Sequence, residues 1–188
     1  FYFGRGQVQS ILGQGEDRAP RMPFFKKGVI RDKALAGELL CLHRDFHDPA
    51  VSFLEKESRL FCLVHQAVQR HVSDLTSDMK PGREKEKIAV IKAYIEENFQ
   101  ASISLKDLCR ISGLSKYYLL RAFSVQMGMT PHAYVSHVRA VRAKEMMDKE
   151  ESLAQVALSA GFFDQSHMNR VFKKIFGITP GRYCRSRR

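Results

Sequence analysis

The stretch GITPGRY occupies residues 177–183, and 49 residues earlier, at 128–134, the chain reads GMTPHAY. Glycine directly after an apolar-periodic run supplies the left-handed residue that ends a helix, so Gly128 and Gly177 are helix stops. Thr130 and Thr179 stand where an N-cap hydroxyl is wanted, and Pro131 and Pro180 fill the first helical position, where a missing N–H does no harm. The apolar residue before each threonine (Met129, Ile178) and the tyrosine four after it (Tyr134, Tyr183) form the two ends of a hydrophobic staple, which sets the angle between helices. One helix junction is written twice.

The repeat extends backwards. SLKDLCRISGL at 104–114 aligns with SLAQVALSAGF at 152–162: serine, leucine, an apolar position, a small residue (Cys109, Ala157), then glycine and an apolar residue. The small residue lets a second helix cross closely, and Gly113 or Gly161 accommodates a tight turn, which are the requirements of a helix-turn-helix. The second helices are expected at about 115–127 and 164–176. Leu119, Ala122, Phe123 and Met127 form the buried face of one, and Met168, Val171, Phe172 and Ile175 that of the other. Tyr117, Leu120 and Arg121, and in the second copy Gln165, Ser166, His167, Asn169 and Arg170, point away from those faces. Polar groups there suit base edges, arginine gripping guanine and glutamine adenine, and leucine can touch a thymine methyl.

Composition narrows the partner. The 188-residue chain is 44% hydrophobic with a formal net charge of +11, and it has no apolar run near the length of a membrane span. Residues 83–188 carry 19 Lys and Arg against 10 Asp and Glu, whereas residues 1–82 carry 12 against 10. A basic half of about a hundred residues favours a polyanion, nucleic acid before a membrane surface. Cys41, Cys62, Cys109 and Cys184 are widely spaced and form no disulfide or metal framework, which favours a reducing, cytoplasmic compartment. Cys41, His43 and His47 cannot converge on one helical face, so no metal or other cofactor is expected.

The C-terminal hundred residues resemble the DNA-binding domain of the arabinose-regulator (AraC/XylS) family of bacterial transcription factors. The matching words are SxxxLxxxFxxxxGxTPxxY at 115–134, VRAVRAKEMM at 138–147 and AGFFDQSHMNRVFKKIFGITPGRY at 160–183. The resemblance implies a mainly α fold: two helix-turn-helix subdomains on a linker helix from Pro131 to about Met147, with both recognition helices in successive major grooves. At 1.5 Å per residue that helix spans roughly 25 Å, the order needed to set two readers one DNA turn apart. Carried over position by position, the base contacts fall on Tyr117, Leu120 and Arg121, then on Gln165, Ser166, His167, Asn169 and Arg170; many relatives are polar where this chain has Leu120. The implied role is sequence-specific transcription regulation, as an activator. The implied partners are double-stranded DNA, RNA polymerase, a small-molecule effector and a second copy of the chain.

The N-terminal half is less explicit. KALAGELLCLHRDF at 33–46 and AVSFLEKESRLFCLVHQAVQRHV at 50–72 place apolar residues at helical spacing and suggest an antiparallel pair, whose apolar faces need a missing domain or a second subunit. A strand-like run near QVQSIL precedes them. This half weakly resembles the end of the β (cupin-like) effector domain of many family members. The expected organisation is therefore an incomplete effector domain at 1–78, a linker at 79–84 and the DNA-binding domain at 85–188. A chain beginning Phe1-Tyr2-Phe3 is expected to be part of something longer. An enzymatic reading, the alkyl-transfer repair proteins that share this module, needs a cysteine in a Pro-Cys-His-Arg setting, which none of the four has. An adaptor that no longer touches DNA is the remaining alternative, and it would bind its partner without a steep salt dependence.

Overall fold

A computed structural model describes residues 30–71, 84–147 and 152–186, with nine α-helices and no strand among them. They are α1 (Lys33–His47), α2 (Phe53–His71), α3 (Glu84–Glu97), α4 (Leu105–Ser112), α5 (Lys116–Met127), α6 (Pro131–Met147), α7 (Leu153–Ser159), α8 (Gln165–Phe176) and α9 (Pro180–Arg185). The strand-like run near QVQSIL, the β remnant inferred from it and the expected linker, apart from Glu84, lie outside the described residues.

Both written junctions form as the sequence dictates. Gly128 and Gly177 close α5 and α8 with φ of 69° and 77°. The Thr130 hydroxyl accepts from Ala133 N at 3.3 Å and the Thr179 hydroxyl from Arg182 N at 3.4 Å. Ile178 and Tyr183 pack on the same cluster, as a staple should. Its counterpart is half open: Met129 is 37% exposed, while Tyr134 is buried against Phe123 and donates its hydroxyl to Glu96 at 2.6 Å.

Two apolar clusters share one long helix. Ile88, Ile91 and Ile95 of α3 join Leu105, Leu108, Leu119, Phe123, Tyr134 and Val138 in the first, and Met147, Val156, Phe162, Met168 and Phe172 build the second. Helix α6 therefore gives Tyr134, Val135 and Val138 to one cluster and Ala140, Ala143 and Met147 to the other. The joint is reinforced by Arg139, half-buried, whose Nε donates to Phe99 O at 2.7 Å and whose Nη2 donates to Ala101 O at 2.9 Å. Gly161 (φ +80°) completes it, since a Cβ there would lie 2.8 Å from both Gln100 Cα and Phe99 O. The α7–α8 turn is thus pressed against the loop before α4, and the two units are held as one body.

The N-terminal helices do pair antiparallel. Asp32 caps α1 and reaches Arg70 and His71 at the far end of α2, at 3.3 and 3.2 Å, while Asp45 near the end of α1 pairs with Arg59 in the first half of α2. The expectation that their apolar faces await a missing domain or a second subunit is corrected for α2, whereas Leu40 and Phe46 of α1 and Phe53 at the start of α2 stay exposed. Leu54 and Phe61 of α2 belong to the same cluster as Leu119 and Phe123, and α2 packs on α5 and α6. The difference arises because the outward face of α5 carries a leucine, which offers apolar cover within the chain.

Candidate nucleic-acid interface

The two helix-turn-helix units reach their second helices by different turns. In the first, Ser104 and Asp107 form a capping box at α4, Gly113 ends that helix with φ 65°, and α5 begins after Ser115, whose side chain makes no capping bond. In the second, Ser152 caps α7, Gly161 turns the chain, and the Asp164 carboxylate caps α8 by accepting from His167 N at 2.6 Å. Caps and glycine turns of this kind fix where each second helix starts and which face it turns outward.

Helix α8 presents an open polar face. Gln165, Ser166 and Arg170 are exposed and Asn169 is half-buried, while Met168 and Phe172 on the opposite side are fully buried. Their spacing puts one polar stripe along the first two turns. Lys173 and Lys174 extend positive charge into the last turn, where the helix dipole favours it. His167 is turned inward: its ring meets Phe162 edge-on at 5.4 Å, and its Nδ1 is buried without a hydrogen-bond partner. Burial, with Arg170 beside it, pushes the His167 imidazole pKa down. Phe163, just ahead of the cap, is 60% exposed. The signal for it was the FF pair: Phe162 is 4% exposed and fills the core, so its neighbour across the turn points out.

Helix α5 presents no such face. Leu120, expected at a base-reading position, is 2% exposed, and its side chain lies in the cluster with Leu54 and Phe61. In this arrangement Leu120 is packing, not an exposed contact. One position along, Arg121 is half-exposed and bears on His65 of α2, whose imidazole pKa is lowered by burial first and by that guanidinium second. Lys116 donates to Glu57 Oε1 at 2.7 Å. Tyr117 lies in the first turn of α5, and its side chain is outside the described residues. The structure thus gathers Gln165, Ser166, Asn169 and Arg170 on one face and buries Leu120 with Leu54 and Phe61 of α2, Arg121 staying half-exposed.

Between the helical pair and the second unit lies a cavity of about 960 Å³ that meets Glu55, Arg59, His132, His167, Arg170 and Lys174. The pair therefore closes tightly on α5 and α6 but stands off from α8. His132 lies half-buried beneath it, with Nε2 3.3 Å from Glu55 Oε2; burial first, then the cations Arg59 and Arg139, push its imidazole pKa down to about 3. Burial pushes the Glu55 carboxyl pKa up.

Known proteins carry the same geometry. The helix-turn-helix domain family matches residues 108–186. A crystal structure of a transcriptional regulator from Chromobacterium violaceum, of the AraC-type DNA-binding domain-containing proteins, superposes with a TM-score of 0.52 at 25% identity, covering 56% of this chain and 95% of that one. Residues 108–186 are an AraC-type helix-turn-helix domain. Over a longer span, the chain is 30% identical over 161 residues to YbfI of Bacillus subtilis (strain 168), described as an uncharacterized HTH-type transcriptional regulator; the match takes in 86% of this chain and 56% of that protein. The chain spans about half the length, or less, of the first curated relatives it matches.

Proposed function

We propose that the chain is a sequence-specific, double-stranded DNA-binding transcription regulator of the cytoplasm, reading DNA with α8 and, once exposed, α5. The observation that carries this reading is the pairing of two helix-turn-helix units on the single rigid helix α6, with an open polar and basic face on α8. Gln165, Ser166, Asn169 and Arg170 are the base-reading residues of the second unit, and Tyr117 and Arg121 those of the first. A major groove about 12 Å wide accepts one helix of this diameter. Lys173, Lys174 and Arg182 grip phosphates, which positions the readers without specifying sequence. Relatives described as the transcriptional activator RhaS support an activating role, for which RNA polymerase would be the partner. The N-terminal half would carry control by an effector or a second subunit.

Selection of bound duplexes from random sequence by this chain tests the reading. A recurring site, bound with an affinity that falls steeply with salt, is the expected result, because each neutralised phosphate contributes a slope of about −0.9. Random output, or binding indifferent to salt, would overturn it in favour of a protein-binding adaptor.

A further inference from the structure

We propose that the α1–α2 pair is an intramolecular competitor of DNA for the first reader, so that the chain as folded here reads DNA with α8 alone. This rests on the DNA-binding reading above and adds its control.

Two contacts and one nearby charge place α2 on the reading face of α5. Leu120 occupies, one unit earlier, the position that Asn169 occupies on α8, and it is buried with Leu54 and Phe61. Lys116 corresponds to Gln165 and is held by Glu57 at 2.7 Å. Arg121 corresponds to Arg170 and acts on the His65 imidazole as a nearby charge. The surface that α2 offers is chemically the counterpart of what that face would meet in DNA: an apolar patch for Leu120 where a thymine methyl would sit, and a carboxylate for Lys116 where a phosphate would sit. A helix is about 10–12 Å across and the major groove about 12 Å wide, so α2 and DNA cannot occupy this face together.

The cover is one-sided. Asp48 and Glu55 act on His167, Arg170 and Lys174 only as nearby charges, across the cavity, while Arg170 and Lys174 remain exposed. The second reader is therefore accessible in the state that closes the first. If only a fraction of molecules have the pair released, apparent affinity for a two-groove site falls by that fraction. A signal that releases the pair raises affinity by the reciprocal factor. The acidic and apolar residues of α2 are then the regulatory element, and Leu120 is its receptor on the DNA-binding domain.

The test is footprinting with the intact chain on its selected site, for wild type, Glu57→Gln and Glu57→Lys. Wild type should protect one half-site, the one whose protection is lost with Arg170→Ala. Glu57→Lys sets like charges opposite Lys116 and should extend protection by about one helical turn and tighten binding tenfold or more. Glu57→Gln keeps the packing and should tighten binding about threefold. Equal affinity and a two-turn footprint for all three proteins would overturn the competition while leaving DNA binding intact. If none of the three binds any selected duplex, the DNA-binding reading itself fails, and the competition falls with it.

Discussion

Helices α5 and α8 are built by the same rules and meet different surroundings. Each ends at a left-handed glycine, buries an aromatic at the same register (Phe123, Phe172) and precedes a Thr-Pro-capped helix. They differ in the residues turned away from the core: Lys116, Leu120 and Arg121 on one, Gln165, Asn169 and Arg170 on the other. In the first set Leu120 is buried with Leu54 and Phe61 of α2 and Lys116 pairs with Glu57, whereas Gln165 and Arg170 of the second are exposed. Junction residues thus determine the path of the backbone, and outward residues determine what the helix binds. An apolar side chain at position 120 and a lysine at 116 give this reading face what α2 can cover, a buried leucine and a partner for Glu57.

The largest effect that probes this comparison is on the cores. Phe172→Ala should cost about 3–5 kcal/mol by chemical denaturation. Because the second cluster contains no residue of α1 or α2, amide exchange should accelerate in α7–α9 first. Phe123→Ala should cost a similar amount but loosen the helical pair together with α3–α5. Identical exchange patterns for the two variants would show that the units do not differ in their dependence on the pair.

The joint between units comes next. Gly161→Ala forces a non-glycine residue to φ +80° and a Cβ to 2.8 Å from backbone on the facing loop, and such strain costs about 1–3 kcal/mol before any clash is relieved. Arg139→Met leaves the carbonyls of Phe99 and Ala101 without their donor, at about 1–3 kcal/mol. Denaturation measures both. Near-neutral results would mean that the readers are not rigidly coupled.

Much of this was legible in sequence and some was not, for definite reasons. The repeated GxTPxxY gave the junctions because capping and left-handed glycine are local requirements, settled within five or six residues. The buried faces of α5 and α8 followed from helical spacing. The antiparallel pair at 33–46 and 50–72 was legible too, but its destination was not, since an apolar stripe does not name the surface that covers it. Leu120 illustrates the limit: its departure from the polar pattern was visible, and the partner that explains it lies about sixty residues upstream. Arg139 and Gly161 were missed as a joint because their partner is the backbone of residues 99–101, which carries no sequence signal.

Among the reading residues, Arg170→Ala should weaken binding at the preferred site by about 1–3 kcal/mol and change binding to random duplex far less, as expected of an arginine bidentate to guanine. Gel-shift titrations on both DNAs give the ratio. Equal losses on the two would reassign Arg170 to phosphate.

A change of pH acts on the cover itself. His132 faces Glu55 and Arg59 of α2, Arg139 of its own helix, and His167 and Lys174 of α8, and its pKa is held at about 3. A released or unfolded chain binds a proton near pH 6.5 that the closed state refuses, so closure weakens as pH falls below that value. At pH 5.5 the difference is about 1.4 kcal/mol for His132. His65 and His167, also lowered, act in the same direction; Glu55, raised, acts in the opposite direction at lower pH. Thermal melts and exchange of α2 amides between pH 7.5 and 5.5 should show lower stability in acid, and His132→Asn should flatten the trend. Constant protection across that range would place His132 outside the linkage.

The smallest effect is the most discriminating. Arg121 holds the register on α5 that Arg170 holds on α8, so two equal readers predict equal losses from Arg121→Ala and Arg170→Ala. Closure predicts otherwise: with α2 in place Arg121 does not reach a groove, and its removal from the intact chain should change affinity by less than about 0.5 kcal/mol, the range of an uninvolved surface residue. Repeated in the Glu57→Lys background, the same substitution should cost about 1–3 kcal/mol and blur base preference one helical turn from the bases affected by Arg170→Ala. The appearance of that cost only after Glu57 is changed is the thermodynamic signature of competition, because two substitutions on different helices become non-additive only through the state they share. A full loss already present in the unmodified chain would mean that the first reader is open in solution and that the burial of Leu120 does not oppose DNA.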